Sequence, residues 1–134
     1  MKRRELREHI FELLFRVEFN NQEEMSEQTQ LFFEDIEELE EKDKSYMEAK
    51  FAKIVELLPK IDKLIDETAK GWKVSRLGKV DLPILRLAVY EMKFDEDVPV
   101  GVAINEAVEL SKQYGGDESP AFINGIIGKL GKTE

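Results

Sequence analysis

The chain has 134 residues, no cysteine and a formal net charge of −9 at pH 7. A chain of this length forms one compact unit with a substantial core and leaves little room for two independent domains. The absence of cysteine excludes a disulfide framework and a thiolate metal site. No signal-peptide pattern and no membrane-spanning apolar run occurs, so we expect a cytoplasmic protein.

The negative charge is concentrated in one segment. Residues 20–48 hold 11 acidic and 2 basic side chains, so the rest of the chain carries 18 of each sign and is neutral. Within that remainder, a basic cluster lies at the N-terminus and comprises Lys2, Arg3, Arg4 and Arg7. Because phosphates are attracted to clustered cations, a nucleic-acid contact is predicted at the N-terminus and not on the acidic segment.

The first predicted helix covers residues 3–19. Its apolar residues recur at i, i+4, i+7, i+8 and i+11, the spacing of one buried helix face. They are Leu6, Ile10, Leu13, Leu14 and Val17. A second helix is predicted over roughly residues 26–40, beginning at Ser26 and with its glutamates in solvent. Its inward residues are expected to be Leu31, Phe32, Ile36 and Leu39.

A third helix is expected to start at Asp43 or Ser45. Pro59 has no backbone N–H and its ring clashes with the preceding turn, so we expect it to kink or split this helix. A fourth helix then continues the same apolar pattern. Residues 71–80 are predicted to link an N-terminal helical half, residues 1–70, to the C-terminal part of the chain.

Residues 79–130 are predicted to form a bundle of three helices. The first has Ile84–Met92 at its centre and is apolar nearly all round, which is typical of a helix covered on several sides. Asp81 is expected to cap the free N–H groups at its start.

The other two helices of this bundle have clear boundaries. The second opens with Pro99 and stops at Gly115–Gly116, where a left-handed cap is easy to form. The third restarts at Ser119–Pro120, a cap followed by proline at the first helical position. The predicted fold is therefore all-α, with about seven helices in two small packed bundles.

The residues do not favour catalysis. His9 is the only histidine. A carboxylate bundle that holds two metal ions uses Glu-x-x-His motifs on two helices, and one histidine cannot supply them. No phosphate-binding glycine loop occurs. We therefore expect a protein that is not an enzyme and uses no metal or cofactor, with His9 on a helix surface near Glu5, Glu8 or Glu12.

Two residues in the C-terminal part need a specific environment. Arg86 lies within the apolar helix, and a buried guanidinium requires a carboxylate partner, for which Glu106 or Glu109 on the next helix is expected. Phe122 follows the Ser119–Pro120 cap. Its ring can either stack on an unpaired base or belong to the core, and the residues alone leave both alternatives open.

Ordered motifs over about fifty residues resemble the NusB family of transcription antitermination factors. These are Val80-Asp81, Ile84–Ala88, Tyr90-Glu91, Val98-Pro99, Val102–Leu110, Tyr114-Gly115, Ser119-Pro120 and Phe122–Gly125. The resemblance implies an all-α protein that binds boxA RNA of nascent transcripts together with NusE, a small-subunit ribosomal protein. With other Nus factors and RNA polymerase, such a pair promotes transcription of ribosomal RNA operons.

The resemblance also implies which residues act. RNA contacts are expected from the N-terminus and from the start of the last helix, namely Lys2, Arg3, Arg4, Arg7, Glu118 and Phe122. Partner contacts are expected from Phe15 and Asp81. The chain has Gly101 and Ala121 where lysines are common in the family. The alternative function is a protein-interaction adaptor of the same fold with little RNA binding of its own.

Overall fold

The computed structural model describes residues 1–69 and 77–132, and these residues contain six helices and no strand. The helices are α1 (Arg3–Val17), α2 (Gln22–Glu34), α3 (Glu41–Ala69), α4 (Asp81–Lys93), α5 (Val100–Tyr114) and α6 (Ser119–Lys132). The all-α prediction is confirmed, with six helices where about seven were expected. Within the same ranges, no helix combines the length and the apolar character needed to cross a membrane.

The chain divides into two compact units, Met1–Val55 and Glu56–Glu134. We call them the N-terminal unit and the C-terminal unit. The division falls inside α3, so the second half of that helix belongs with the C-terminal unit. Most of the predicted link at residues 71–80 lies outside the described residues, which resume at Leu77.

In the N-terminal unit, α1 packs on α2. The predicted α1 stripe is buried except for Val17, which is partly exposed. Helix α2 begins at Gln22 and not at Ser26, because Asn21 forms a capping box with Glu24. The Asn21 Oδ1 accepts from the Glu24 N–H at 2.8 Å, and the Glu24 Oε1 accepts from the Asn21 N–H at 2.9 Å. The box satisfies two backbone N–H groups at once and sets the start of the helix.

Two further expectations for α2 are wrong. The helix ends at Glu34, short of the predicted residue 40. Leu31, predicted to face inward, is 45% exposed, whereas the adjacent Phe32 and Phe33 are buried. The Phe32 ring contacts His9 and Arg16 of α1, so the helix turns Leu31 toward solvent.

Helix α3 runs unbroken through Pro59, so the predicted split into two helices does not occur. Ile54, Ile61 and Ile65 are fully buried and lie at spacings of seven and four residues, which keeps them on one helix face. Pro59 itself is exposed. The proline removes one helical hydrogen bond on the solvent side, and the continuous apolar stripe on the other side keeps the helix intact.

Helix α4 is the centre of the C-terminal unit. Every residue from Leu82 to Met92 is buried, and α5 and α6 both pack against this helix. The prediction of a helix covered on several sides is therefore confirmed. The cap expected from Asp81 is not formed, because Asp81 is the first helical residue and the preceding Val80 offers no side-chain hydrogen bond.

The joint between α5 and α6 depends on Gly115. Its φ of −91° is ordinary, so the left-handed cap predicted for this position does not form. Glycine is required for space: a Cβ here would lie 2.6 Å from the Ser119 Cβ and 2.8 Å from the Ser111 carbonyl oxygen. The Ser119 Oγ accepts from the Gly116 N–H at 3.1 Å and fixes the start of α6.

Arg86 is buried as expected, and it forms a bidentate pair with Asp62 of α3, a partner that the sequence did not predict. The Arg86 Nε donates to the Asp62 Oδ1 and the Arg86 Nη2 donates to the Asp62 Oδ2, both at 2.9 Å. The Arg86 side chain is 9% exposed and that of Asp62 is 26% exposed. Paired parallel hydrogen bonds of this kind are the strongest that a guanidinium and a carboxylate form.

We expect Arg86→Ala to lower the free energy of unfolding by about 3 kcal/mol, because a largely shielded carboxylate loses its partner. A double-mutant cycle with Asp62→Ala, followed by denaturant titration, should give a coupling energy above about 1 kcal/mol. The exposed pair of Lys112 and Glu109, 3.5 Å apart, is the control and should couple by less than about 1 kcal/mol. Equal coupling in the two pairs would contradict the prediction.

Candidate nucleic-acid interface

The start of α1 carries the basic cluster. Lys2, Arg3 and Arg4 are exposed there. Arg7 differs from the prediction of a common cationic face, because it is buried with 8% of its surface exposed. The amine of Met1 donates to the Asp43 Oδ2 at 3.1 Å, so its positive charge is already balanced within the N-terminal unit. The exposed positive charge is therefore smaller than the sequence suggests.

Phe15, expected on the partner surface, lies near the other end of α1. It is partly exposed, and its ring centroid is 5.1 Å from that of Phe19, which is 56% exposed. Arg16, between them in the chain, donates to the Gln28 Oε1 at 3.2 Å and lies 5.1 Å from the centroid of Phe32. Two aromatic rings that are at least partly exposed therefore lie side by side at this end of α1.

Phe122 lines an open cleft in the C-terminal unit, which we call the α4–α6 cleft. The cleft has a volume of about 650 Å³ and is formed where α4 and α6 begin. Its lining residues are Leu77, Gly78, Asp81, Gly116, Asp117, Glu118, Ser119 and Phe122. Phe122 is partly exposed, whereas the next residue, Ile123, is fully buried. Phe122 is therefore not part of the fully buried core, and stacking of its ring on a base stays a prediction.

The cleft brings together three residues that the family resemblance assigns to two different sites. Glu118 and Phe122 are predicted to contact RNA and Asp81 is predicted to contact a protein partner, yet all three line the same cavity. The Asp81 Oδ1 is shielded from solvent and has no hydrogen-bond partner in the described part of the chain. An accessible ring beside a carboxylate can stack a flat group and accept hydrogen bonds from its edge.

The model of the NusB family matches residues 4–132. A transcription antitermination protein NusB from Lachnoclostridium phytofermentans is 49% identical over 130 residues, covering 97% of this chain and 98% of the relative. One from Agathobacter rectalis is 48% identical over 130 residues, covering 97% and 99% of the two chains. The chain belongs to the NusB family.

Solved structures agree with the family fold. The NusB of T. maritima superposes with a TM-score of 0.88 at 36% identity and covers 100% of this chain and 93% of that one. A chain in a crystal structure of a plectonemic RNA supercoil gives a TM-score of 0.81 at 26% identity, covering 96% and 92%. A structure of NusB and NusE with double-stranded RNA gives a TM-score of 0.82 at 24% identity, which shows a shared fold alone.

This NusB-family chain has a second cleft in the C-terminal unit, between α5 and α6, with a volume of about 400 Å³. Gly101 and Ala121, at the positions where lysines are common in the family, both line it. Its other lining residues are Ile104, Asn105, Val108, Pro120 and Asn124, so none of its lining residues is charged. The residues that line this cleft therefore offer no cation to a phosphate.

The acidic segment forms a groove of its own in the N-terminal unit. The groove has a volume of about 460 Å³, and its acidic lining residues are Glu34, Glu41 and Glu48. Lys44 is its one basic lining residue. This surplus of negative charge opposes phosphate binding and agrees with the expectation that the segment is not an RNA site.

Sequence reasoning could not place Asp81 beside Phe122, since the two residues are 41 positions apart. The sequence marks both only as residues at the start of a helix. The sequence predicts that both helices belong to one three-helix bundle. Which helix ends meet depends on the crossing angles of the helices and on the loops that join them. The burial of Arg7 also has no clear signal, because its neighbours Arg3 and Arg4 have the same chemistry and are exposed.

His9 lies on α1 near Glu12, as expected. Its Nδ1 is 3.8 Å from the Glu12 Oε2 and has no hydrogen-bond partner in residues 1–69 and 77–132. Its ring meets that of Phe32 edge-on at 5.6 Å. The Glu12 side chain is the main cause that raises the pKa of His9 above 6.5, partial burial opposes the rise, and the charges of Glu5 and Glu8 add to it. Within the described ranges, no group of three or more His, Asp or Glu residues is placed to hold a metal ion.

We expect the His9 charge to make stability depend on pH. Since folding raises the pKa of His9, its contribution is fully present below the unfolded pKa near 6.5 and is lost as the pH rises through the folded value. Denaturant unfolding from about pH 5.5 to about pH 8.5 should show this decline, and Glu12→Gln should reduce it. A variant whose decline matches that of the wild type would contradict this prediction. Glu18→Gln, at the C-terminal end of α1, is the control for removal of an acidic charge.

Proposed function

We propose that this chain is a transcription antitermination factor that binds boxA-type single-stranded RNA together with NusE. In this role it promotes the transcription of ribosomal RNA operons and joins RNA polymerase and other Nus factors indirectly. The observation that carries the proposal is the family match over residues 4–132, supported by 49% identity to an antitermination protein over nearly the whole of both chains. A similar chain in a crystal structure of an RNA supercoil further supports RNA as the ligand.

The RNA site in this proposal has two parts. Lys2, Arg3 and Arg4 are exposed and attract phosphates without reading the sequence. Phe122 is partly exposed and lines the α4–α6 cleft, and its ring is proposed to stack on an unpaired base. Arg7 and Glu118 complete the set implied by family resemblance. Arg7 is buried one helical turn from Arg3, so it supports this helix end and does not present a charge to solvent.

The partner site is proposed at Phe15, whose exposed neighbour Phe19 enlarges the aromatic surface at the end of α1. Asp81 is the second partner residue implied by resemblance. A basic ribosomal protein suits a chain of net charge −9. The experiment that tests the function is an RNA mobility shift with this chain alone, with NusE alone and with both. If this chain enters no complex with RNA or with NusE, the proposal is wrong.

The adaptor alternative makes a different prediction in the same experiment. An adaptor recruits NusE but adds no RNA contact, so RNA would shift equally with NusE alone and with the pair. The uncharged cleft around Gly101 and Ala121 is the observation that favours this alternative. The exposed cations and the accessible Phe122 ring favour direct RNA binding.

We expect substitutions in the two proposed parts of the RNA site to have different effects on RNA affinity and on its salt dependence. Changing Lys2, Arg3 and Arg4 to alanine should weaken binding of all RNAs and lower the log–log salt slope by roughly 0.7 for each phosphate that is no longer bound. Phe122→Ala should cost about 1–3 kcal/mol of binding free energy with the salt slope nearly unchanged. RNA titrations at two salt concentrations separate these effects.

The control for the basic variant removes three exposed lysines elsewhere, Lys60, Lys63 and Lys129, and should leave the salt slope closer to that of the wild type. Thermal unfolding of the same samples controls for Phe122. A decrease of several kcal/mol in the folding stability of Phe122→Ala would mean that the ring is part of the core. An unchanged slope in the basic variant would remove the α1 start from the site.

We expect charge reversal of the acidic segment to spare RNA binding. Replacing Glu37, Glu38 and Glu41 with lysine should leave specific affinity intact and raise non-specific binding, because repulsion of phosphates is removed. Competition titrations with boxA-type and unrelated RNA measure both quantities. A clear loss of specific affinity in a correctly folded variant would place RNA on this segment.

A further inference from the structure

An exposed tyrosine on α3 lies among lysines. Tyr46 is 46% exposed. Lys42 and Lys50 lie four residues before and after it, and Lys53 lies seven residues after it, spacings that place side chains on one helix face. Lys42 and Lys53 are exposed, whereas Lys50 is buried. We call these four residues the α3 basic stripe, which carries three positive charges and an aromatic ring in its middle.

The residues just before α1 lie beside this stripe. The Met1 amine donates to the Oδ2 of the buried Asp43 at 3.1 Å. Asp43 lies three residues before Tyr46, so this contact brings the basic cluster of Lys2 and Arg3 to the first turn of α3. The amine also balances the Asp43 carboxylate, which therefore does not offset the lysines of the stripe.

Lys50 holds the tyrosine from one end. Its Nζ donates to the Tyr46 hydroxyl at 3.4 Å and lies 5.7 Å from the ring centroid, so the ammonium is nearer to the hydroxyl than to the centre of the ring. Lys50 is only 8% exposed, which anchors this contact in the interior. A ring that is oriented in advance loses less conformational freedom when a ligand stacks on it.

The acidic groove lies on the other flank of α3. The residues of this helix that line the groove are Glu41, Lys44 and Glu48. With 3.6 residues per turn, each of them points about 140–160° away from Tyr46. The acidic segment, residues 20–48, is therefore not uniform. The expectation that it does not bind RNA applies to the acidic groove, whereas Tyr46 lies on the flank that carries lysines.

We propose that Tyr46 stacks on an unpaired base of the RNA whose phosphates are bound by the basic cluster, and that Lys42 and Lys53 bind neighbouring phosphates. This inference rests on the RNA-binding function proposed above and extends the RNA site onto α3, where the family resemblance assigns no residue. Cations interleaved with an aromatic ring are typical of surfaces that bind single strands. The positive charge of the stripe favours a polyanion over a basic protein partner such as NusE.

The test measures the affinity of boxA-type RNA for this chain, alone and with NusE, at two salt concentrations. Tyr46→Ala should weaken binding about tenfold and leave the salt slope nearly unchanged, because a stacked base is lost and no charge is removed. Tyr46→Phe keeps the ring and should bind nearly as tightly as the wild type. Changing Lys42 and Lys53 together to alanine should lower the log–log slope by roughly 0.7 for each phosphate that is no longer bound.

Two matched controls accompany these variants. Leu31→Ala removes another exposed side chain from the N-terminal unit, since Leu31 is 45% exposed. Changing Lys112 and Lys129 together to alanine removes two exposed lysines from the C-terminal unit. Lys112, like Lys42, belongs to an exposed ion pair of 3.5 Å. Both controls should leave RNA affinity and the salt slope close to those of the wild type, and thermal unfolding of every variant checks the fold.

A photochemical experiment locates the stacked base without any substitution in the protein. RNA that carries a photoreactive iodouridine at one position at a time is irradiated in the complex, and the adducts are mapped by mass spectrometry. An adduct should form on the peptide that contains Tyr46. Adducts that map only to other peptides would overturn the inference.

The outcomes separate this inference from the proposed function. If Tyr46→Ala binds RNA as tightly as the wild type while the alanine variant of Lys2, Arg3 and Arg4 binds more weakly, the inference is wrong and RNA binding stands. A loss of NusE binding by Tyr46→Ala with unchanged RNA affinity would assign the ring to a protein partner and also overturn it. If no RNA binds this chain, with or without NusE, the proposed function fails and the inference fails with it.

Discussion

The C-terminal unit depends on the pair formed by Arg86 and Asp62. A guanidinium sits inside a helix whose other residues from Leu82 to Met92 are also buried, and its charge is tolerated there because a carboxylate meets two of its nitrogens. The pair ties the second half of α3 to α4. It explains why that half belongs with the C-terminal unit, although it is continuous in sequence with the first half of the same helix.

With α4 fixed in this way, the start of α4 and the start of α6 meet at one cleft. Asp81 comes from the first and Phe122 from the second, and each is held by a helix whose following residues are buried. The cleft is therefore built from rigid elements and not from a long loop. Rigid support of this kind keeps the positions of the Phe122 ring and the Asp81 carboxylate fixed within the C-terminal unit.

The sequence predicted most helices because the apolar spacing of α1, α4, α5 and α6 agrees with their start and stop residues. It failed where two local signals compete. Pro59 signalled a break, but the buried stripe of Ile54, Ile61 and Ile65 outweighed it. Ser26 signalled a start, but the capping box at Asn21 comes earlier. The Asp62 partner and the burial of Arg7 are tertiary outcomes, and no periodicity encodes them. The candidate site residues came from family resemblance, and their grouping in one cleft came only from the fold.

The close approach of Gly115 to Ser119 has an evolutionary consequence. The backbone at this joint has no space for a methyl group, so any side chain at position 115 would push the start of α6 away from the end of α5. Phe122 lies within the first turn of α6 and would move with it. A substitution at Gly115 would therefore change the shape of the cleft without changing any residue that lines it. In a deep mutational scan, substitutions of Gly115 would therefore disturb this cleft although Gly115 does not line it.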